Sequence, residues 1–251
     1  MAISTMMKKL SIATVGAALL AVGITVKAAN AASVVNGGFE TGNFSGWTAT
    51  SQSGSGGNLF NTAGGFSPRS SSSIPGASEG TRYAVTDQSG PGSYVLFQDI
   101  FLEAGSQHQL SFDWFAKTSA RLADRGNMNK NSSGNQQFRV DLVSTEFSDW
   151  FGSSSSAGVL ANIVAPVVSP NQWTSTSFDL SAWAGQTVRL AFRQVDNMGI
   201  FQAGIDNVKI ASTPTQAVPE PASTLGLMVF GAMGAGSMLK RKQQQKAAVK
   251  A

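Results

Sequence analysis

The side chains able to do covalent chemistry are few. The 251 residues include one histidine, His108, and no cysteine. A thiol nucleophile, a cysteine-based zinc site, an iron–sulfur cluster and a two-histidine zinc site are therefore excluded. A Ser-His-Asp triad would have to use His108, which stands in "GSQHQLSF", and no G-x-S-x-G turn accompanies it. His108 reads instead as a turn or surface histidine. The glycine-rich stretches lack the Gly, Lys and Ser/Thr spacing of a phosphate loop. Glycoside hydrolysis needs only two carboxylates, either ~5 Å or ~6.5–9.5 Å apart. Thirteen acids lie within residues 33–212, so a pair is available, but no motif selects one.

Binding chemistry is better represented. Trp150 and Phe151 fall in "STEFSDWFGSSSS", where a strand-like run enters a serine loop. Sugar rings offer apolar CH faces that stack on such aromatics, and Asp149 and Arg139 could meet their hydroxyls. The competing reading is that Trp150 packs. Trp47, Trp114 and Trp173 lie in strand-like or motif-like pieces and read as core. Arg121, Arg125 and Lys130 sit in a long polar stretch, 117–137, expected to be an exposed loop; they either line a site for acidic glycans or are simply solvated.

The elements that must position these residues are strands. Apolar and polar residues alternate in 109–114, 138–142, 187–193 and 204–210, the period of a half-buried strand. In 187–193 the apolar positions share one face, and Arg189 and Arg193 point away. Residues 94–102 and 173–180 are further strands, and Ser/Gly-rich turns separate them. The pattern predicts an all-β fold: a single antiparallel β-sandwich, or jelly roll, over 33–211.

Both chain ends read as targeting segments. Lys8 and Lys9, the apolar run 10–26 and the small residues Ala29 and Ala31 form a secretory signal peptide, 1–31, cut after Ala31 or Ala32. Residues 212–217 are the expected linker. Residues 224–239 carry no charge, and as a helix they reach roughly 24 Å, marginally enough to span a bilayer core of about 30 Å. Pro219 and Pro221 break the helix just outside it, so the expected transmembrane helix is 223–239. Lys240, Arg241 and Lys242 hold its far end in the cytoplasm, leaving 243–251 as a cytoplasmic tail. Eight of the eighteen basic residues lie in these ends. The domain between them carries ten basic residues against thirteen acids. The basic balance of the whole chain is thus no footprint of nucleic acid.

"VPEPAS", an apolar run and Lys240-Arg241-Lys242, in that order, resemble the PEP-CTERM sorting signal, here 218–242. The resemblance implies processing by exosortase, a membrane protease-transpeptidase, after transient anchoring in the membrane. It also implies delivery to the surface or matrix of a Gram-negative bacterium that makes extracellular polysaccharide. The tail after Lys242 is longer than is usual for such signals. A second resemblance lies within the domain. Asn36-Gly37-Gly38-Phe39-Glu40-Thr41-Gly42 with Gly46-Trp47, then 173–180 with 184–188, then Ile205-Asp206-Asn207-Val208, are similar to galactose-binding-like jelly rolls, which include many carbohydrate-binding modules. In that family the first and last strands run side by side, and one structural calcium is often held there. The resemblance implies calcium on Glu40, Asp206 and the backbone of Gly38, with Asp87 a weaker third carboxylate. The alternative is that Glu40 and Asp206 hold loop amides. The function these observations imply is a non-catalytic surface or matrix protein contacting extracellular polysaccharide. A purely structural or adhesive matrix protein and a glycoside hydrolase are the alternatives.

Overall fold

A computed structural model describes residues 32–153, 157–165 and 172–215. The signal peptide with Ala29 and Ala31, and the sorting signal with Pro219, Glu220, Pro221, Lys240, Arg241 and Lys242, lie outside the described residues. Twelve strands follow in order: β1 Thr48–Ser51, β2 Gly57–Thr62, β3 Gly65–Phe66, β4 Ser73–Ile74, β5 Tyr83–Gln88, β6 Gly92–Phe101, β7 Ser106–Thr118, β8 Gln136–Val143, β9 Val159–Val164, β10 Thr174–Asp179, β11 Thr187–Asp196 and β12 Phe201–Pro214. A 3-10 turn, Ser181–Trp183, is the one helical element among the described residues.

Two five-stranded antiparallel sheets form the sandwich. The first has the order β1-β6-β11-β8-β9 and the second β10-β7-β12-β5-β2; β3 and β4 make a separate hairpin. Alternation builds the interior. Leu190 and Phe192 of β11 and Phe138 and Val140 of β8 face Phe112 and Trp114 of β7 in one cluster. Phe192 meets Phe112 edge-on at 5.4 Å, and Trp114 stacks on Phe138 at 5.5 Å. Trp47 is buried with them, as expected.

The polar positions behave differently from the sequence expectation. Every residue of β8 and of β5 is buried. The reason is that loops cover both outer faces of the sandwich. Over the second sheet, segment 63–80 folds back so that Ile74 joins Tyr83, Val85 and Phe115 in a second small apolar cluster, with Trp173 against it. Gly204 is required below this layer, since a Cβ there would lie 2.0 Å from the Phe115 ring. Over the first sheet, residues 144–153 lie across β8 and β11. The stretch expected to be an exposed loop also packs down. β7 runs on to Thr118, β8 begins at Gln136, and Met128 and Asn135 between them are fully buried.

Three further expectations are corrected. His108 is neither in a turn nor at the surface: it is 1% exposed, on β7, between Ser212 Oγ at 2.9 Å and the Glu103 carbonyl at 2.8 Å. This follows from the length of β12, which pairs Ser212 with His108 and reaches Pro214, three residues into the stretch expected to be a linker. The first and last strands do not pair, because β1 joins β6 in the opposite sheet from β12. The opening motif instead enters a bulge of β12 between Asp206 and Lys209, where Val208 N–H donates to Gly37 O at 3.0 Å.

Arg193 and Arg139 do point away from the core, but into the covering loop. Arg193 is fully buried. Its Nη1 donates to Asp141 Oδ2 at 3.0 Å, while Arg139 grips the same carboxylate at 2.7 Å through both Nε and Nη2. Removing the shared anion would leave two buried cations, a change that typically costs 3–5 kcal/mol. Asp141→Ala should therefore lower stability by about 3–5 kcal/mol in urea denaturation. A loss under ~1 kcal/mol would mean that the arginines find water instead.

Candidate functional site

The outer face of the first sheet carries a row of aromatic and charged side chains. Phe97, Asp99 and Phe101 alternate outward along β6, and Phe101 is 54% exposed. Trp150 lies over Phe97, ring centroids 4.8 Å apart and planes 21° from parallel, and its edge meets Phe147 at 5.0 Å. Trp150 stays half-buried. The Arg189 guanidinium sits 4.4 Å from the Phe97 centroid and holds Asp99 bidentately, at 2.5 and 3.0 Å. Its hydrogen bond to Asp99 raises its pKa further.

What fixes Trp150 is the charge cluster beneath it. Arg193 Nη2 donates to the Trp150 carbonyl, and its guanidinium lies 5.3 Å from the Phe147 ring centroid. Burial pushes the Arg193 pKa down, against the pull of Asp141. Asn162 of β9 donates to the other oxygen of Asp141 at 2.8 Å.

Of the residues expected to meet sugar hydroxyls, Arg139 is spent on Asp141 and only 6% exposed. Asp149 is exposed and accepts from Gly152 N–H at 2.9 Å. Phe151 is half-buried next to Trp150. Phe97 and Phe101 were missed by the sequence reading. Their signal is the alternation of 94–102, whose outward positions are two aromatics flanking an acid.

At the opening motif the structure brings Glu40, Asp206 and Gly38 together and leaves Asp87 apart. A Cβ on Gly38 would lie 3.9 Å from both Asp206 Oδ1 and Glu40 Cγ. Glu40 accepts from Thr81 N–H, Arg82 N–H and the Thr81 hydroxyl, at 2.7–2.9 Å. The Thr81 hydroxyl and these amides hold the Glu40 carboxyl below its ordinary range. Asp206 Oδ2 accepts from Ser78 N–H and Glu79 N–H, and burial nevertheless pushes its carboxyl up. Asp87, on β5, lies beside Gln202, which is four residues along β12 from Asp206, and it caps the amides of Arg69 and Ser70.

The donor set admits a hard cation in part. Asn207 Oδ1 is buried without a partner, and Asp206 Oδ1 accepts only the adjacent Asn207 N–H. A cavity of about 190 Å³ is lined there by Gly38, Glu40, Glu79, Gly80, Asn207 and Lys209. Backbone carbonyls would have to complete the shell, since no cluster of three acidic, histidine or cysteine side chains exists among the described residues. Ser78 Oγ joins two acids, Asp113 at 2.8 Å and Asp206 at 3.1 Å.

At one end of the sandwich lies a second polar cluster. Asp196, 2% exposed, ends β11 beside Gln88, the last residue of β5. Burial pushes the Asp196 carboxyl up to about 8. The Gln88 amide dipole and the Gly92 N–H pull the other way, and Asp87 adds to the rise. No well-formed hydrogen bond joins Gln88 to Asp196.

No family model and no curated protein matches the sequence. Among solved structures the chain is similar to the module TmCBM61 in complex with beta-1,4-galactotriose, at 16% identity and a TM-score of 0.44, over 71% of this chain and 96% of that one. It is similar to the K1 cleaved adhesin domain of Lys-gingipain from Porphyromonas gingivalis W83, at 14% identity and TM-score 0.44, over 70% and 96%. It is also similar to the family 11 carbohydrate-binding module from Clostridium thermocellum in complex with a beta-1,3-1,4-mixed-linked tetrasaccharide, at 12% and 0.37, over 72% and 96%. The likeness is one of β-sandwich fold.

The buried acid has a measurable consequence. Asp196 holds its proton to about pH 8 when folded, whereas its ordinary value is 3.8. Between these limits the folded state binds more protons than the unfolded, so this group's contribution to stability falls as pH rises. Thermal denaturation of the wild type should therefore show Tm falling from pH 5 to pH 8, and Asp196→Asn should flatten that slope. Parallel slopes in the two proteins would show that Asp196 ionises normally.

Proposed function

We propose that this chain is an exported, non-catalytic surface or matrix protein that contacts extracellular polysaccharide through the outer face of its first sheet. One observation carries the reading: Trp150, half-buried and stacked on Phe97, shares that face with exposed Phe101 and with the Arg189–Asp99 pair. Flat apolar rings beside fixed charged donors and acceptors suit a ligand with CH faces and hydroxyls. Phe97 and Phe101 are four residues apart on one strand, about 13 Å, a span that suits a chain better than a single ring.

Processing by exosortase at Pro219-Glu220-Pro221, with transient anchoring by helix 223–239, would deliver the domain to the polysaccharide it contacts. The signal peptide would begin that journey. Neither segment is needed for the binding face itself.

Calcium at Glu40, Asp206 and Gly38 would have a structural role. Segment 78–82 already hangs on both carboxylates, so the cation would fasten the opening motif, that segment and the β12 bulge together. It would touch none of the aromatic face.

The decisive test of binding is co-sedimentation of the protein with its producer's own polysaccharide. Trp150→Ala should weaken the association at least roughly tenfold, about 1.4 kcal/mol, and Phe101→Ala should weaken it less. Equal binding by wild type and Trp150→Ala would favour a matrix protein with no defined glycan. Shortening of the polysaccharide during incubation would show a hydrolase. For the metal, millimolar calcium should raise Tm relative to EDTA, with the increment lost in a Glu40→Gln/Asp206→Asn double variant. An identical Tm in calcium and EDTA would leave the two carboxylates as loop caps alone.

A further inference from the structure

The interior of the sandwich ends in a polar floor. Gln88, Tyr94, Gln194 and Asp196 occupy inward positions where β5 turns into β6 and β11 turns into β12. Gln194 pairs with Tyr94 in the sheet, and Asp196 pairs with Gly92. All four side chains are nearly wholly buried, at 1–2% exposure. Five of their polar atoms have no hydrogen-bond partner: Gln88 Nε2 and Oε1, Tyr94 Oη, Gln194 Oε1 and Asp196 Oδ1.

A cavity of about 250 Å³ opens at this end. Gln88 and Asp196 line it together with Gly90, Pro91 and Ile200. Both turns that frame it cross from one sheet to the other, and Gln88 and Asp196 are the two members of the polar floor that reach it. An unsatisfied buried group typically costs 1–3 kcal/mol. Gathering several such groups beside a cavity makes sense if something that enters it completes their hydrogen bonds.

We propose that this end cavity is a subsite for one hydroxylated ring, a terminal sugar residue whose adjacent hydroxyls bridge Gln88 and Asp196 while its CH face rests on Pro91 and Ile200. The mixture of unpaired atoms selects this chemistry. Gln88 Nε2 is a donor and Gln88 Oε1 an acceptor, and Asp196, protonated below about pH 8, both gives and takes. A hydroxyl both gives and takes, so two neighbouring hydroxyls satisfy all three. A metal cation would meet Gln88 Oε1 but oppose the amide N–H group beside it and the protonated Asp196. An anion would face the charge of nearby Asp87, which also bears on Asp196. Size agrees, because 250 Å³ lies below the ~300–1,000 Å³ of sites for larger ligands. One ring fits, and a run of rings does not.

The inference rests on the polysaccharide reading for its class of ligand, but it uses none of the residues of the aromatic face. That separation makes the two distinguishable. Saturation-transfer NMR on the full-length chain, with D-galactose, D-glucose, D-mannose and L-rhamnose supplied singly at millimolar concentration, should detect at least one of them. Gly90→Leu should weaken the signal, because Gly90 lines the cavity; a Cβ there meets nothing within 4 Å, so the substitution leaves the fold undisturbed. Gln88→Leu should weaken binding at least roughly tenfold, with no loss of Tm because the orphaned amide is removed. Trp150→Ala should leave the monosaccharide signal intact.

The subsite is overturned if none of the four sugars binds, or if Gln88→Leu leaves binding unchanged. It is equally overturned if Trp150→Ala removes the signal, which would place the ring on the aromatic face. Polysaccharide binding without monosaccharide binding would sink the cavity alone. Monosaccharide binding without any effect of Trp150 on polysaccharide would sink the aromatic face and leave the cavity standing.

Discussion

A fully buried guanidinium at Arg193 sets the terms for one whole side of this molecule. An arginine cannot shed its charge, so taking it out of water requires an anion and enough acceptors around it. Asp141 supplies the anion and shares it with Arg139. The Trp150 carbonyl supplies an acceptor from the covering loop. Nε of Arg193 remains without a partner, so the arrangement is not optimised for stability alone. A buried ion cluster of this kind is weak evidence for stability and better evidence for a specified position. The position it specifies is that of residues 144–153, and with them the indole that stacks on Phe97.

The two outer faces of the sandwich are closed by opposite chemistry. On the first sheet, arginines from the strands reach up to a loop carbonyl. On the second, carboxylates do the work. Asp87 caps the amides of Arg69 and Ser70, Asp206 those of Ser78 and Glu79, and Glu40 those of Thr81 and Arg82. Long Ser/Gly-rich segments have little apolar surface with which to hold themselves down. Anchoring their backbone amides on buried or fixed anions compensates, and a chain without cysteine has no disulfide to do it instead. The same carboxylates that would hold a calcium ion are thus already structural.

Much of this fold was legible because alternation is local. Leu110, Phe112 and Trp114 announce an inward face by spacing alone, and the structure buries all three. What alternation cannot tell is whether the opposite face meets water. Arg139, Asp141 and Arg193 look like solvent-facing residues of half-buried strands, and they are buried because the loop 144–153, which follows β8, folds back over them. His108 was misread because its partner Ser212 lies 104 residues away. Glu40 and Asp206 were brought together through the shape of a known motif, although the strand adjacency that motif suggested is absent. The unpaired atoms of Gln88, Tyr94, Gln194 and Asp196 carry no sequence signal at all. Four residues on three strands become a cluster only when both sheets are in place.

The aromatic face stands or falls on whether Trp150 meets the polysaccharide. The chain has five tryptophans, and each indole N–H gives its own resonance in a ¹⁵N-labelled sample. Titrating the producer's polysaccharide into that sample, with the five signals assigned by single substitutions, is the most direct measurement. The account predicts that the Trp150 resonance shifts or broadens first while those of Trp47 and Trp114, buried in the core, stay fixed. A Trp150 signal unmoved at saturating polysaccharide, with the protein nonetheless bound, would contradict it.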